Sequence, residues 1–185
     1  MNILVLFAHP ATHRSRANAA MRRAIQDEKG VFVHDLYEKY PDMVIDVAHE
    51  QALLAKADAL IFQHPLYWYS SPAIVKEWID VVLTHGFAYG AAGKAIAGKP
   101  WLQAITAGGK EGSYAAQGFN KFTIAELLRP FEATAMLCGA DWRTPFVMHA
   151  SHLIDDSELH SAALKYRECI KSLRAGLASA SALGM

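Results

Sequence analysis

At 185 residues, with 52% hydrophobic and 19% charged residues, the chain has the length and composition of one folded domain with a sizeable core, which excludes disorder. Eighteen basic and eighteen acidic residues cancel, so the footprint of a nucleic-acid binder is absent. No apolar run approaches a membrane span, and the two cysteines, Cys138 and Cys169, lack disulfide or zinc spacing, which points to the cytoplasm.

Asn2–Ala8 is apolar on both faces, lacks a basic leader, and reads as a first strand buried in a parallel sheet. Arg16–Glu28 reads as a helix that buries Ala17, Ala20, Met21, Ala24 and Ile25. Gly30 opens a second strand over Val31–Leu36, and Asp46–Ala57 follows as a short helix. Ala59–Gln63 is the third strand, and Pro72–Thr84 a helix whose first turn suits Pro72. Pro100–Ala107 is the fourth strand, and Phe122–Leu137 a helix that must tolerate Pro130. Trp142–Met148 completes five strands, Asp155–Leu177 is a closing amphipathic helix, and the end from Ala178 is expected to fray. No repeat, linker or break in composition divides the chain, so 1–185 reads as a single α/β domain, a doubly wound parallel sheet with helices on both faces.

Sheets of this class bind ligands beyond the carboxyl ends of their strands. Three of those ends are unusual here. After the first strand, His9-Pro10-Ala11-Thr12-His13-Arg14-Ser15-Arg16-Ala17-Asn18 offers an N-cap serine, free N–H groups and nearby cations, as an anion site needs. It has neither the G-x-G-x-x-G fingerprint nor a P-loop, and an ordinary capped helix reads the same way. After the third strand, Leu66-Tyr67-Trp68-Tyr69 lies between Pro65 and Pro72 and offers a platform for a flat ligand, with core or subunit packing as the alternative. After the fourth, Thr106-Ala107-Gly108-Gly109 offers backbone donors without side-chain obstruction, where a flexible turn is the plain alternative. Together, a phosphate cradle, an aromatic platform and backbone donors fit a phosphorylated flat cofactor, flavin mononucleotide.

Nine histidines invite a metal, yet no ligand set is complete. His149 and His152 lack a third partner, His49-Glu50 lacks the second histidine of a zinc protease, and His9, His13 and His64 compete with the flavin reading for space. No metal site is expected. No G-x-S-x-G elbow supports a serine hydrolase. Gly86–Gly98 is a candidate lid or partner-facing loop, with Phe87 and Tyr89 read as packing residues.

The chain resembles the flavodoxin-like NAD(P)H:quinone oxidoreductases, and within them the ancillary oxidoreductases of bacterial glutathione-regulated potassium-efflux systems. The resemblance runs from Ile3 to about Leu173. It is carried by Ala8-His9-Pro10, Ser15 with Asn18, Asp35-Leu36-Tyr37, Tyr40-Pro41-Asp42, Gln63-His64-Pro65-Leu66, Lys76-Glu77-Trp78-Ile79-Asp80, Gly86-Phe87-Ala88-Tyr89-Gly90 and Leu128-Arg129-Pro130-Phe131. It implies a five-stranded flavodoxin-like sheet in the order 2-1-3-4-5. It implies that His9, Ser15, Arg16, Ala17 and Asn18 hold the flavin phosphate and ribityl chain. Leu66, Tyr67, Trp68 and Tyr69 would line the ring, and Thr106, Ala107, Gly108 and Gly109 would bond to it. Tyr114 falls where the family has a catalytic tyrosine. Asn120 stands at the family's histidine position and cannot become a cation, so it departs from the family's proton relay. The implied cofactor is FMN, with FAD as the alternative, reduced by NADH or NADPH and reoxidised by a quinone in ping-pong turnover. Also implied are a homodimer and a cytoplasmic protein that attaches to the inner membrane through a potassium-efflux transporter. A regulatory subunit of that transporter, or an electron carrier without its own substrate, are the competing readings.

Overall fold

The β-branched and aliphatic runs form strands that pair in parallel in the computed structural model, which describes residues 1–182. Ile3–Phe7 (β1) lies between Val31–Asp35 (β2) and Ala59–Pro65 (β3), and Pro100–Thr106 (β4) follows β3. Asp141–Trp142 (β5) and Phe146–Met148 (β6) both pair with β4, which gives the order β2-β1-β3-β4-β5 with β6 beside β4. This is the flavodoxin-like order that the resemblance implies. The fifth strand is two short pieces rather than one: Arg143 still donates its N–H to the Trp101 carbonyl, but the pairing lapses at Thr144 and Pro145, where Pro145 has no N–H to give.

Alternation along the strands divides the core in two. Ile3, Val5, Ala59, Ile61 and Leu102 point to the face covered by Arg16–Ile25 (α1) and Asp156–Ala182 (α7). Leu4, Leu6, Leu60, Phe62 and Trp101 point to the other face, covered by Val47–Lys56 (α3), Ala73–Val82 (α4) and Arg129–Leu137 (α6). A four-residue helix, Leu36–Lys39 (α2), links β2 to α3. Among the described residues no helix is long and apolar enough to cross a membrane.

Capping decides most boundaries. Ser15, Asp35, Asp46 and Thr123 each accept an N–H from the first turn of the following helix. The expected Phe122–Leu137 helix is two, Ile124–Leu127 (α5) and α6, because the helix breaks at Leu128. Pro130 is tolerated since it stands in the first turn of α6, where its missing N–H is not needed. Pro72 caps α4 with extended backbone instead of entering its first turn. β3 extends two residues beyond Gln63, because His64 and Pro65 continue the register with Ile105 and Thr106. α7 runs to Ala182, past the point at which fraying is expected, and residues 183–185 lie outside the described residues. The Gly86–Gly98 segment is tied to the core by buried Ala88 and Ile96, with Phe87 and Tyr89 packed against it.

A buried acid fixes the helices of this second face. The fully buried Glu50 carboxylate accepts the Tyr40 hydroxyl at 2.5 Å, the Trp78 indole N–H at 2.8 Å and His34 Nε2 at 2.8 Å. His34, His49 and Glu50 are the one cluster of metal-ligand type among the described residues, and the Glu50 oxygens in it already have donors. Burial pushes the Glu50 carboxyl up, but the bonds from His34, Tyr40 and Trp78 outweigh it and hold the pKa below the ordinary carboxylate value. Because the folded-state pKa is depressed, the stabilisation is fully present above the unfolded value of about 4.3 and is lost as pH falls through the folded one. Glu50→Gln sets an amide N–H against donors and is expected to destabilise the fold by about 3 kcal/mol at neutral pH. Urea unfolding at pH 7 and in acid checks this: the gap between variant and parent should narrow only on the acid side.

Candidate functional site

At the carboxyl ends of β1, β3, β4 and β6 the backbone leaves the sheet, and the loops that follow line a cavity of 720 Å³. That size lies within the range of roughly 300–1,000 Å³ usual for small-molecule and cofactor sites. No acidic side chain is among the described residues that line it.

The first wall is the entry to α1. Ser15 Oγ accepts the N–H of Asn18, and the N–H groups of Arg16 and Ala17 project from the first turn, where an α-helix has no internal acceptors. His9 lines the cavity, and its Nδ1 accepts the Ala11 N–H at 3.1 Å. Burial is the main cause that lowers the His9 pKa, so a neutral ring with its proton on Nε2 satisfies both facts. Two cations differ in what they can offer. Arg16 is bound to Asp156 at 2.6 Å and to the Ile154 carbonyl at 3.2 Å, whereas Arg14 lines the cavity with no ion-pair partner among the described residues. Asn18 does not line the cavity. It is buried behind the wall, where its Nδ2 donates to Thr106 Oγ1 at 2.8 Å.

The second wall is a tight reversal. Tyr67 and Ser70 exchange both backbone hydrogen bonds, at 3.0 and 2.9 Å, across Trp68 at φ 48° and Tyr69 at φ 63°. Two central residues at positive φ define a type I′ turn, whose usual occupants are Asn and Gly. Here both are bulky aromatics, and packing does not reward them: Trp68 is 94% and Tyr69 48% exposed. Leu66, Tyr67, Trp68 and Tyr69 all line the cavity; the exposure of the three aromatics excludes core burial as their role, while Leu66 also packs against the core. Leu66 N–H itself donates to the Thr106 carbonyl at 2.8 Å.

The third wall follows β4. Thr106, Gly108 and Gly109 line the cavity; Ala107 does not, since its N–H donates to Met148 and its carbonyl accepts Ser151. A Cβ on Gly109 would stand 3.1 Å from the Tyr114 ring, so the glycine lets Tyr114 close on the loop. Tyr114 and Asn120 reach the cavity, and Tyr69 donates its hydroxyl to Asn120 Oδ1 at 3.3 Å, bridging the second and third walls. His64 is buried behind Pro65 with Nδ1 2.9 Å from the Pro65 carbonyl, and burial lowers its pKa.

Sequence reasoning did not single out Ser151, Ser113 and Phe119, and weighed His152 only as a metal ligand; all four line the cavity. Ser151 and His152 come from the loop after β6, which carries no glycine signature. They arrive because Ser151 and Ala150 donate to the Ala107 and Gly109 carbonyls.

The donor set fits a flavin phosphate and ring: free N–H groups and a hydroxyl at a helix N-terminus, exposed aromatics, and a glycine pair facing one space. Residues 1–170 match the model of the flavodoxin-like fold family. Over 170 residues the chain is 45% identical to the glutathione-regulated potassium-efflux system ancillary protein KefG of Serratia proteamaculans (strain 568), covering 92% of this chain and 93% of that protein. The general stress protein 14 of Treponema denticola, crystallised in complex with FMN, is 38% identical with a TM-score of 0.88, covering 94% of this chain and 99% of that one. An NADPH-quinone reductase from P. pentosaceus is 32% identical with a TM-score of 0.83, covering 91% and 96%. In sequence, strand order and cavity position, the chain belongs to the flavodoxin-like fold family, among relatives that include potassium-efflux ancillary proteins and quinone reductases.

Proposed function

We propose that the chain is a single-domain, FMN-dependent NAD(P)H:quinone oxidoreductase. The observation that carries this reading is the convergence of a helix N-terminus, an exposed aromatic turn and a glycine pair on one cavity. The FMN complex of the Treponema protein favours FMN over FAD, and the quinone reductase relative favours a quinone acceptor. Ser15, with the N–H groups of Arg16 and Ala17, would hold the phosphate, and His9 would offer it Nε2–H. Thr106 accepts from Asn18, which leaves its hydroxyl hydrogen to donate into the cavity. Leu66 to Tyr69 would hold the ring edge, and Gly108 and Gly109 let backbone approach it. A flavin bound there supplies two-electron hydride chemistry between a nicotinamide and a quinone. Tyr114 and Asn120 border the space where those substrates would alternate.

Trp68, Tyr69, Phe119 and Phe122 are all exposed, with Phe119 at 87%, and Trp68, Tyr69 and Phe119 line the cavity. Exposed aromatics at a cavity mouth support a homodimer that covers them. A second reading, favoured by the KefG relative, is an ancillary subunit that activates a potassium-efflux transporter from the cytoplasmic side of the inner membrane, with or without turnover. The two roles are compatible.

Anaerobic NADPH is expected to bleach the purified protein's flavin absorbance, and a quinone to restore it; a flavin-free protein, or one that is not bleached, sinks the reading. Ser15→Asp keeps a good N-cap but sets a carboxylate against the phosphate. It should weaken FMN binding on the order of a hundredfold at nearly unchanged Tm, by fluorescence titration and thermal melts. Replacing Trp68-Tyr69 by Asn-Gly relieves the αL strain. The double variant should gain about 1–2 kcal/mol in urea unfolding while FMN affinity falls, and a turn that loses stability would show that the aromatics serve the fold.

A further inference from the structure

His149 has no part in the walls described above. It follows Met148 at the end of β6 and does not line the cavity, yet its ring lies 5.6 Å from the Tyr114 ring at an interplanar angle of 43°. It therefore backs the wall that Tyr114 presents. Among the described residues its buried Nδ1 makes no hydrogen bond of normal geometry, although the Gly109 backbone favours the protonated ring. Glu111, in the 3-10 turn Glu111–Ser113 just before Tyr114, is the ionisable group whose charge acts on it. The next residue, Ala150, is held at φ 52° and donates its N–H to the Gly109 carbonyl at 2.9 Å. A non-glycine residue at positive φ persists only where its surroundings over-determine it, so the backbone that aims His149 is fixed under the glycine pair. If the ring served packing alone, an apolar side chain would do so without stranding a nitrogen.

We propose that His149 is the positioning residue of the glycine-loop wall, and that its protonation state, passed through Tyr114 and Glu111, sets the pH dependence of electron transfer at the cavity. The proposal rests on the flavin reading above. A proton taken from solvent turns the imidazole into a cation, a form that the Glu111 charge favours. The Tyr114 ring then lies within the roughly 6 Å reach of a cation–π contact. Asn120, on the same wall, cannot take up a proton, and His9 has its Nδ1 committed to Ala11. Burial lowers the His149 pKa, with the Glu111 charge and the Gly109 backbone opposing, so the ring is neutral at pH 7 and charges on the acid side.

Two measurements on the full chain test this. In flavin-free protein, NMR titration of the His149 ring should give a midpoint below the ordinary histidine value. Glu111→Gln should move it lower, and Tyr114→Leu should move it as well. In FMN-loaded protein, the anaerobic rate of flavin reduction by NADPH should rise roughly tenfold on acidification through that midpoint, since a nearby cation favours arriving negative charge. His149→Phe should flatten this limb, and His160→Gln, on α7 away from the cavity, should retain it. A titration unmoved by Glu111→Gln, or a His149→Phe profile identical to the parent's, overturns the proposal. Should the protein bind no flavin, the functional reading fails, whereas the NMR arm still decides whether His149, Glu111 and Tyr114 are coupled.

Discussion

The site depends on the parallel ladder of β1, β3 and β4 being closed all the way to its carboxyl edge. Beyond the strands themselves, Ala8 donates to Gln63, Leu66 to Thr106 and Ala107 to Met148. These bonds, each 2.8–2.9 Å, hold the first residues of three loops at one level of the sheet. Because β3 and β4 are buried along their whole seven-residue lengths, a slip of one residue would turn apolar side chains to the wrong face. The register thus does two things at once: it divides the core between two faces, and it delivers the loops to a common cavity.

Against that rigid edge, the Trp68-Tyr69 turn runs contrary to local preference. Bulky side chains in the left-handed region are disfavoured by about 1–2 kcal/mol each, and their exposure returns little burial in the isolated chain. Pro65 and Pro72 limit the loop's freedom on both sides, and the mutual Tyr67–Ser70 bonds close the reversal. Strain that neither packing nor capping explains, located on a cavity wall, is the kind that ligand binding or a partner surface redeems.

Much of this was legible in the chain itself. Unbroken apolar runs identified the strands, and Ser15 announced the start of α1 because an N-cap serine has a local physical signature. What escaped depended on distant partners. Arg16 reads as an anion ligand in sequence, but Asp156 and Ile154, about 140 positions away, hold its guanidinium. Ala107 sits between cavity residues, yet β6 and Ser151 take both its backbone groups. Ser151 and His152 had no local signal, since only the fold brings the loop after β6 beneath Gly108 and Gly109. The divided fifth strand and the break at Leu128 are likewise consequences of pairing and packing rather than of periodicity.

Charge recognition in the cavity narrows accordingly. His9 offers a neutral donor, because Ala11 occupies its Nδ1, and the Arg16 guanidinium is paired with Asp156. What remains for an anion is the N-terminus of α1, the Ser15 hydroxyl and Arg14, which has no ion-pair partner among the described residues. No lining carboxylate opposes them. A cavity so arranged selects a ligand with its negative charge at one end and a flat neutral body at the other. The aromatic turn and the glycine pair lie where that body would rest, so the electrostatics and the shape of the site describe the same molecule from opposite ends.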